Sequence, residues 1–273
     1  MPELPEVETI KEQLKNKIFQ KNIVKAEVFD KIGDSKIKAL SGAKIVNILR
    51  RAKYLIIELD NKKKKSYLIA HLGMTGHFHY LTKVQQTKEK MDECSRFAIA
   101  KFYLDDGAIL TYNNMRKFGF IKMATVEEFE KLDQDLGPEP LSKEFTAEKF
   151  KKMLEKKKNS RIKTLLMDQH FLSGLGNIYA QEALYYAGIR PERIVKSLST
   201  SEMEKLHGEI VGILKKAIEH KGSTVDNYSH MEGAGDFQNY LVVYQKDKCP
   251  KGHPIKREEM GGRGTSHCPV CQK

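Results

Sequence analysis

The chain has 273 residues, enough for two domains with separate cores, and 48 Lys and Arg against 36 Asp and Glu give it a formal charge of +12. That excess points to a polyanionic partner. No run of about eighteen apolar residues occurs, which excludes a helical membrane span, and four cysteines are too few for a disulfide-built secreted scaffold.

Residues 2–17 open with Pro2-Glu-Leu-Pro-Glu and continue as a helix, with Val7, Ile10, Leu14 and Ile18 recurring about once per turn. From Ile23 to about Met123 the texture changes to short β-rich segments at 44–49, 54–59, 66–70, 96–104 and 108–112, with Asp60-Asn61 and Asp105-Asp106-Gly107 as turns. This pattern predicts an antiparallel sandwich or barrel. Leu136-Gly-Pro-Glu-Pro-Leu141 breaks the periodicity and reads as an interdomain linker.

Beyond it the spacing predicts helices over 146–157, 161–171, 177–187 and 201–220. The last carries a capping box at Ser201 and Glu204 and a stop at Gly222, and Gly188 ends the third. Ser173-Gly-Leu-Gly-Asn177 leaves room only for a tight turn, which would present backbone N–H groups and a helix N-terminus to a phosphate. A dinucleotide loop does not fit, because Gly174-Leu-Gly176 follows a helix and Tyr179 occupies the third glycine position. The lysine runs 62–65 and 156–158 read as solvated element ends.

Cys249, His253, Cys268 and Cys271 have the order C-x3-H-x14-C-x2-C, the spacing of a two-knuckle ribbon closing a tetrahedron on one zinc ion. His267 is a rival ligand, but beside Cys268 it would need a strained chelate turn, so it is expected at the surface. Cys94 reads as a small buried side chain. Once Met1 is removed, Pro2 would bear a secondary amine with a pKa near about 7.7–8.0. Such an amine can form an iminium with an aldehyde-like carbon, with Glu3 and Glu6 beside it to handle protons. On the residues alone, Pro2 and Pro5 serve equally well to start a helix.

Taken together, Pro2-Glu-Leu-Pro-Glu-Val-Glu-Thr9, Arg50-Arg-Ala-Lys-Tyr54, His71-Leu-Gly-Met-Thr-Gly76, Arg116-Lys-Phe-Gly119, Gln169 through Gly-Leu-Gly-Asn-Ile-Tyr179 and the terminal ribbon resemble the bacterial formamidopyrimidine-DNA glycosylase (MutM) family over nearly the whole chain. The resemblance implies an α+β fold of two domains. An N-terminal antiparallel β-sandwich flanked by helices would span 1–132, followed by a linker at 133–142. A helical helix-two-turn-helix domain would span 143–240 and a zinc ribbon 241–273. The implied activity is that of a bifunctional DNA glycosylase and AP lyase. It would excise oxidised purines, such as 8-oxoguanine and formamidopyrimidines, from damaged double-stranded DNA through a Schiff base on Pro2, then cut the strand by β,δ-elimination. A cytoplasmic, nucleoid-associated monomer with one structural zinc is expected.

The same resemblance distributes roles. Pro2 would be the nucleophile, Glu3 its acid/base partner, Glu6 a neighbour of the sugar, and Lys53 an aid to the chemistry that also contacts phosphate. His71, Lys163 and Asn177 would hold phosphates, and Arg263, at the tip of the ribbon hairpin, would grip the same phosphates and assist elimination. Met74 would fill the hole left by the flipped base, Phe118 would wedge the adjacent step, and Arg116 would bind the orphaned partner base. The stretch from Gly222 to Gln238 resembles the family's lesion-capping loop.

Several positions depart from the family pattern. Gly252-His253 stands where a cysteine is expected. Arg96-Phe-Ala-Ile99 replaces a pair of histidines, the first of them a DNA contact, so that contact is lost or Arg96 substitutes for it. Asn114-Met115 replaces Asp-Pro and is expected to loosen its loop, while Ala52 for Gly is expected to be mild. An endonuclease VIII-type pyrimidine glycosylase would share Pro2, Glu3 and Lys53, but Leu4, Met74, Arg116 and Phe118 favour the purine-directed branch. A noncatalytic zinc-ribbon DNA-binding protein would have no use for Pro2 and Glu3.

Overall fold

Pro5 sits in the first turn of α1 (Leu4–Ile18), where a missing backbone N–H leaves no helical bond unmade. The helix turns Val7, Ile10, Leu14 and Ile18 onto the main core of the first unit, where all four are fully buried. The computed structural model, which describes residues 1–224, 231 and 233–273, folds as two units. One comprises Met1–Gln134 with Lys221–Gly235, the other Asp135–His220 with Asp236–Lys273.

The first unit has two four-stranded antiparallel sheets. One has the order β1 (Ile23–Val28), β6 (Ala98–Leu104), β7 (Ile109–Asn114) and β5 (Gly76–Leu81). The other runs β2 (Lys44–Arg51), β3 (Tyr54–Asn61), β4 (Lys64–His71) and β8 (Phe120–Ala124). Leu55, Ile57 and Leu59 of β3 join Leu68, Phe102 and Leu110 in the main core, while Ile56 faces a second cluster with Tyr67 and Ile69 under Phe129 of α3 (Val126–Asp135). Burial on both faces explains why β3 reads as a continuous apolar run rather than an alternating one. The short α2 (Lys88–Ser95) buries only Cys94, which therefore has the small apolar role expected of it.

In the second unit α4 (Ala147–Glu155) and α6 (Asn177–Ala187) pack on α7 (Thr200–Glu219), and α5 (Ile162–Leu166) meets α6. The helix expected over 161–171 stops at Leu166, because Gln169 folds the next residues into a turn. Its amide donates to Met167 O and Leu175 O, and its Oε1 accepts from Gly174 N. The capping box of α7 lies two residues upstream of its expected place. Ser199 N donates to Glu202 Oε2 at 2.7 Å and Glu202 N to Ser199 Oγ at 3.2 Å, so Ser201 is already helical. Gly188 ends α6 with φ of 79°, as expected.

The segment 136–141, expected as an interdomain linker, is tied to that turn: Gly137 N donates to Gln169 O at 2.8 Å and Ser173 N to Pro138 O at 3.2 Å. A Cβ at Gly137 would lie 2.6 Å from the Phe171 carbonyl carbon. The ribbon hairpin pairs β9 (Lys256–Met260) with β10 (Arg263–His267) across Gly261 and Gly262. Their φ values of 59° and 70° suit a type I′ turn, whose twist matches the strands.

Candidate active site and nucleic-acid interface

At the start of α1, Pro2 is buried, and Glu3 and Glu6 are each 2% exposed. Glu6 Oε2 accepts the backbone N–H of Glu3 at 2.7 Å, and its Oε1 accepts that of Ser223 at 2.9 Å. Both carboxylate oxygens are thus engaged by backbone. Glu6, expected beside the sugar, holds the N-terminal turn against the segment that begins at Gly222. That contact is close: at Gly222, with φ of 77°, a Cβ would lie 2.8 Å from Glu6 Oε1. The expected lesion-capping segment falls partly outside the described residues, at 225–230 and 232.

Lys53 is buried in the turn between β2 and β3. Ala52 before it has φ of 53°, a left-handed conformation that costs a non-glycine residue about 1–2 kcal/mol. The replacement of glycine there is less mild than expected. His71, at the end of β4, lies 5.9 Å from the Phe120 ring in a stacked arrangement, and its Nδ1 accepts from Gly73 N at 3.2 Å. Burial, helped by the charge of Lys53, pushes the imidazole down to about 4. It is therefore neutral at physiological pH, and with Nδ1 accepting, its proton is on Nε2, ready to donate.

The loops carrying the three base-directed candidates meet backbone to backbone. At Gly73, with φ of 61°, a Cβ would lie 2.5 Å from Gly119 N. Asn114, buried beneath them, accepts from Thr75 Oγ1 and Lys117 N at 3.0 Å each and donates to the Tyr112 hydroxyl at 3.1 Å, while Thr75 Oγ1 accepts from Arg116 N. The Asn114 substitution, expected to loosen this loop, ties it down, because an amide side chain donates as well as accepts. Above this network Met74 is half-buried, Phe118 is 62% exposed, and the Arg116 guanidinium lies 5.0 Å over the Phe118 ring. Arg96 is exposed with its guanidinium 5.3 Å over Phe97.

In the second unit β10 is stitched to α5 and α6. Asn177 Nδ2 donates to Gly264 O at 3.1 Å, Gln181 Oε1 accepts from Ser266 N at 2.6 Å, and Lys163 Nζ donates to Thr265 Oγ1 at 2.7 Å. Lys163, expected on a phosphate, is 0% exposed. Its ammonium is spent inside the unit, positioning the hairpin whose tip leaves Arg263 exposed. Sequence reasoning missed Gln181, though it lies four residues after Asn177 and hence on the same helical face. It also missed Glu182, whose buried carboxylate accepts the N–H groups of Val242, Val243 and Tyr244 at 2.7–2.9 Å. No local sequence pattern announces a bond to residues about sixty positions away.

The ligand atoms of Cys249, His253, Cys268 and Cys271 all lie within 4.8 Å of one another. Cys249 Sγ is 3.9 Å from Cys271 Sγ, and His253 Nδ1 is 3.6 Å and 3.3 Å from those two sulfurs. A tetrahedral zinc with Zn–S of about 2.3 Å and Zn–N of about 2.0–2.1 Å spaces such ligands about 3.5–3.8 Å apart, so the set fits the ion. Burial works against ionising Cys249, but backbone donors at Lys251 and His253 bring its thiol down to about 6, toward the thiolate a metal needs. Burial, and after it the neighbouring sulfurs of Cys249 and Cys271, push the Tyr185 hydroxyl up, which sets α6 beside the ribbon's ligands. His267, expected at the surface, is 2% exposed and stands outside this set. The cross-strand pairing of β10 turns it inward.

Residues 1–121 match the family model for the formamidopyrimidine-DNA glycosylase N-terminal domain, and residues 136–229 that for the formamidopyrimidine-DNA glycosylase H2TH domain. The chain is 39% identical to the formamidopyrimidine-DNA glycosylase of Heliobacterium modesticaldum and 40% identical to that of Bacillus licheniformis, covering 100% of both chains in each case. Among solved structures it is similar to a Lactococcus lactis FPG mutant in complex with Fapy-dG DNA, with TM-score 0.87, 35% identity and full coverage of both chains. It is also similar to Lactococcus lactis Fpg in complex with abasic-site DNA, with TM-score 0.87, 35% identity and 99% coverage of both chains. With both domain models in sequence order and relatives aligned from end to end, the chain belongs to the formamidopyrimidine-DNA glycosylase family.

Proposed function

We propose that this chain is a bifunctional DNA glycosylase and AP lyase that removes oxidised purines from double-stranded DNA. The observation that carries the reading is the N-terminal turn itself, where Pro2 is buried and the backbone N–H of the buried Glu3 is held by Glu6, within the stretch matching the family's N-terminal domain. Once Met1 is removed, the Pro2 amine attacks C1′ of the damaged nucleotide, the glycosidic bond breaks, and the base leaves with a proton supplied from the site. Loss of the ring oxygen bond at C1′ gives the Schiff base between Pro2 and the opened sugar. Glu3 serves as the acid/base group, and Lys53 supports the chemistry. Successive β- and δ-elimination then cut the strand, with Arg263 assisting.

His71, Asn177 and Arg263 are the proposed phosphate contacts, while Met74, Phe118 and Arg116 occupy the gap, wedge the stack and read the partner base. Cys249, His253, Cys268 and Cys271 would hold a structural zinc, which supplies a cross-link between the two knuckles of a ribbon with little core of its own. The functional parts are taken as 1–132, 143–240 and 241–273, acting as a monomer on damaged DNA in the cytoplasm. Among the described residues no helix is long and apolar enough to cross a membrane.

Reduction with borohydride in the presence of a duplex bearing one 8-oxoguanine tests this. A covalent adduct whose mass analysis places it on Pro2 is expected, and retention of Met1 should abolish it. An adduct on Lys53 with Pro2 unmodified would overturn the assignment.

A further inference from the structure

The second unit holds another set of ligand-bearing side chains, distinct from the cysteine set. One ligand atom from each of Glu192, Glu258 and His267 lies within 4.8 Å of the others. His267 is 98% buried by its 2% exposure, and among the described residues its Nδ1 has no hydrogen-bond partner. Glu192 Oε2 is likewise buried without one. Buried polar atoms are ordinarily matched with partners, so an unmatched imidazole nitrogen and an unmatched carboxylate oxygen in one cluster mark a place for a cation.

The surrounding fold holds the three residues in place. In the β9–β10 register His267 opposes Lys256 and Thr265 opposes Glu258, which makes Glu258 and His267 diagonal neighbours on one face of the hairpin. Glu192 arrives from the segment after α6, anchored to the ribbon where the Arg190 guanidinium donates to Gln272 O and Pro269 O at 3.0 Å each. His267 Nδ1 and Glu258 Oε1 are 3.4 Å apart. Ligands held at about 2.0–2.2 Å from a tetrahedral zinc are spaced about 3.4 Å apart.

We propose that Glu192, Glu258 and His267 form a second divalent-metal site, which takes zinc with water as its fourth ligand. One imidazole with two carboxylates suits zinc better than magnesium, which prefers an all-oxygen shell. The ion would fasten the segment after α6 to both strands of the hairpin that presents Arg263.

The test is titration of metal-free full-length protein with Co2+. The cysteine set should give intense thiolate charge-transfer absorption with one equivalent, and a second equivalent should bind with weak d–d bands only. Glu192→Gln and Glu258→Gln should each lose the second equivalent and keep the thiolate bands. Saturation of the unaltered protein at a single, thiolate-bound equivalent would overturn the proposal, as would two equivalents in both variants. A single equivalent without thiolate absorption, lost in both variants, would support this site while refuting the cysteine one.

Discussion

Glu6 and Ser223 are joined by a hydrogen bond of 2.9 Å from the Ser223 backbone N–H to Glu6 Oε1, while the other oxygen of the same carboxylate holds Glu3 N. One side chain thereby sets the N-terminal turn and the start of the 222–235 segment relative to each other. Glu6→Gln keeps one acceptor and puts an NH2 group against a backbone donor, so folding stability should fall by about 1–3 kcal/mol. Single-turnover excision should drop roughly tenfold or more, as misplacement of reacting groups does, with little change in affinity for the lesion duplex. Unchanged excision by a folded Glu6→Gln enzyme would remove the positioning role.

His71 carries a pH signature. Its folded-state value of about 4 lies below its ordinary 6.5, so the unfolded chain takes up the proton first as pH falls. Stability from this site is present above pH 6.5 and is lost as pH drops toward 4. Over that window the loss should reach about 2–3 kcal/mol, somewhat under the full linkage value because the ring is only part-buried. His71→Gln should flatten the pH dependence of the denaturation midpoint between 7 and 4.5. An identical profile in variant and parent would show that the ring is freely hydrated.

The proposed DNA contacts should separate by salt dependence. Arg263 is exposed at the hairpin tip. Arg263→Gln should weaken binding to every duplex and flatten log Kd against log salt by about 0.9, the share of one neutralised phosphate. His71, neutral, donates without releasing a counterion, so His71→Gln should weaken binding and leave the slope alone. Arg116→Ala should instead narrow the gap between opposite-C and opposite-A substrates by about 1–3 kcal/mol. If it preserves the full preference, the partner base is read elsewhere.

Removing the zinc proposed for the ribbon should loosen the hairpin and with it the proposed Arg263 contact. Chelation is expected to weaken DNA binding while the first unit stays folded, since that unit has a core of its own. His253→Ala should lower affinity for thiolate-bound metal, and His267→Ala should leave it intact. The reverse result would mean that the first knuckle closes through His267.

The N-terminal helix was legible in the sequence because its apolar residues recur at helical spacing, and the sandwich because its segments are short, β-branched and bounded by turns. The cysteine set was legible too, since Cys268-Pro-Val-Cys271 makes a knuckle locally. Pro2 and Glu3 stand out only through the family resemblance, since on the residues alone Pro2 reads equally well as a helix start. Elements decided by other parts of the chain were misread. Gln169 ends α5 by bonding back to a turn, and α3 forms because Phe129 finds Tyr67 on the outer face of a sheet.

For the candidate site the division is the same. The sequence by itself determined which side chains are available: a proline behind Met1, a run of acids, exposed cations and a ribbon's ligands. Tertiary structure decided what each is free to do. Lys163 and Glu6 have the charges expected for DNA and sugar contacts, yet the fold directs the first to Thr265 and the second to Glu3 and Ser223. His267 reads as a surface residue beside a cysteine, yet strand pairing turns it inward with Glu192 and Glu258. Burial and hydrogen-bond partners come from residues tens to hundreds of positions away, so no local pattern encodes them.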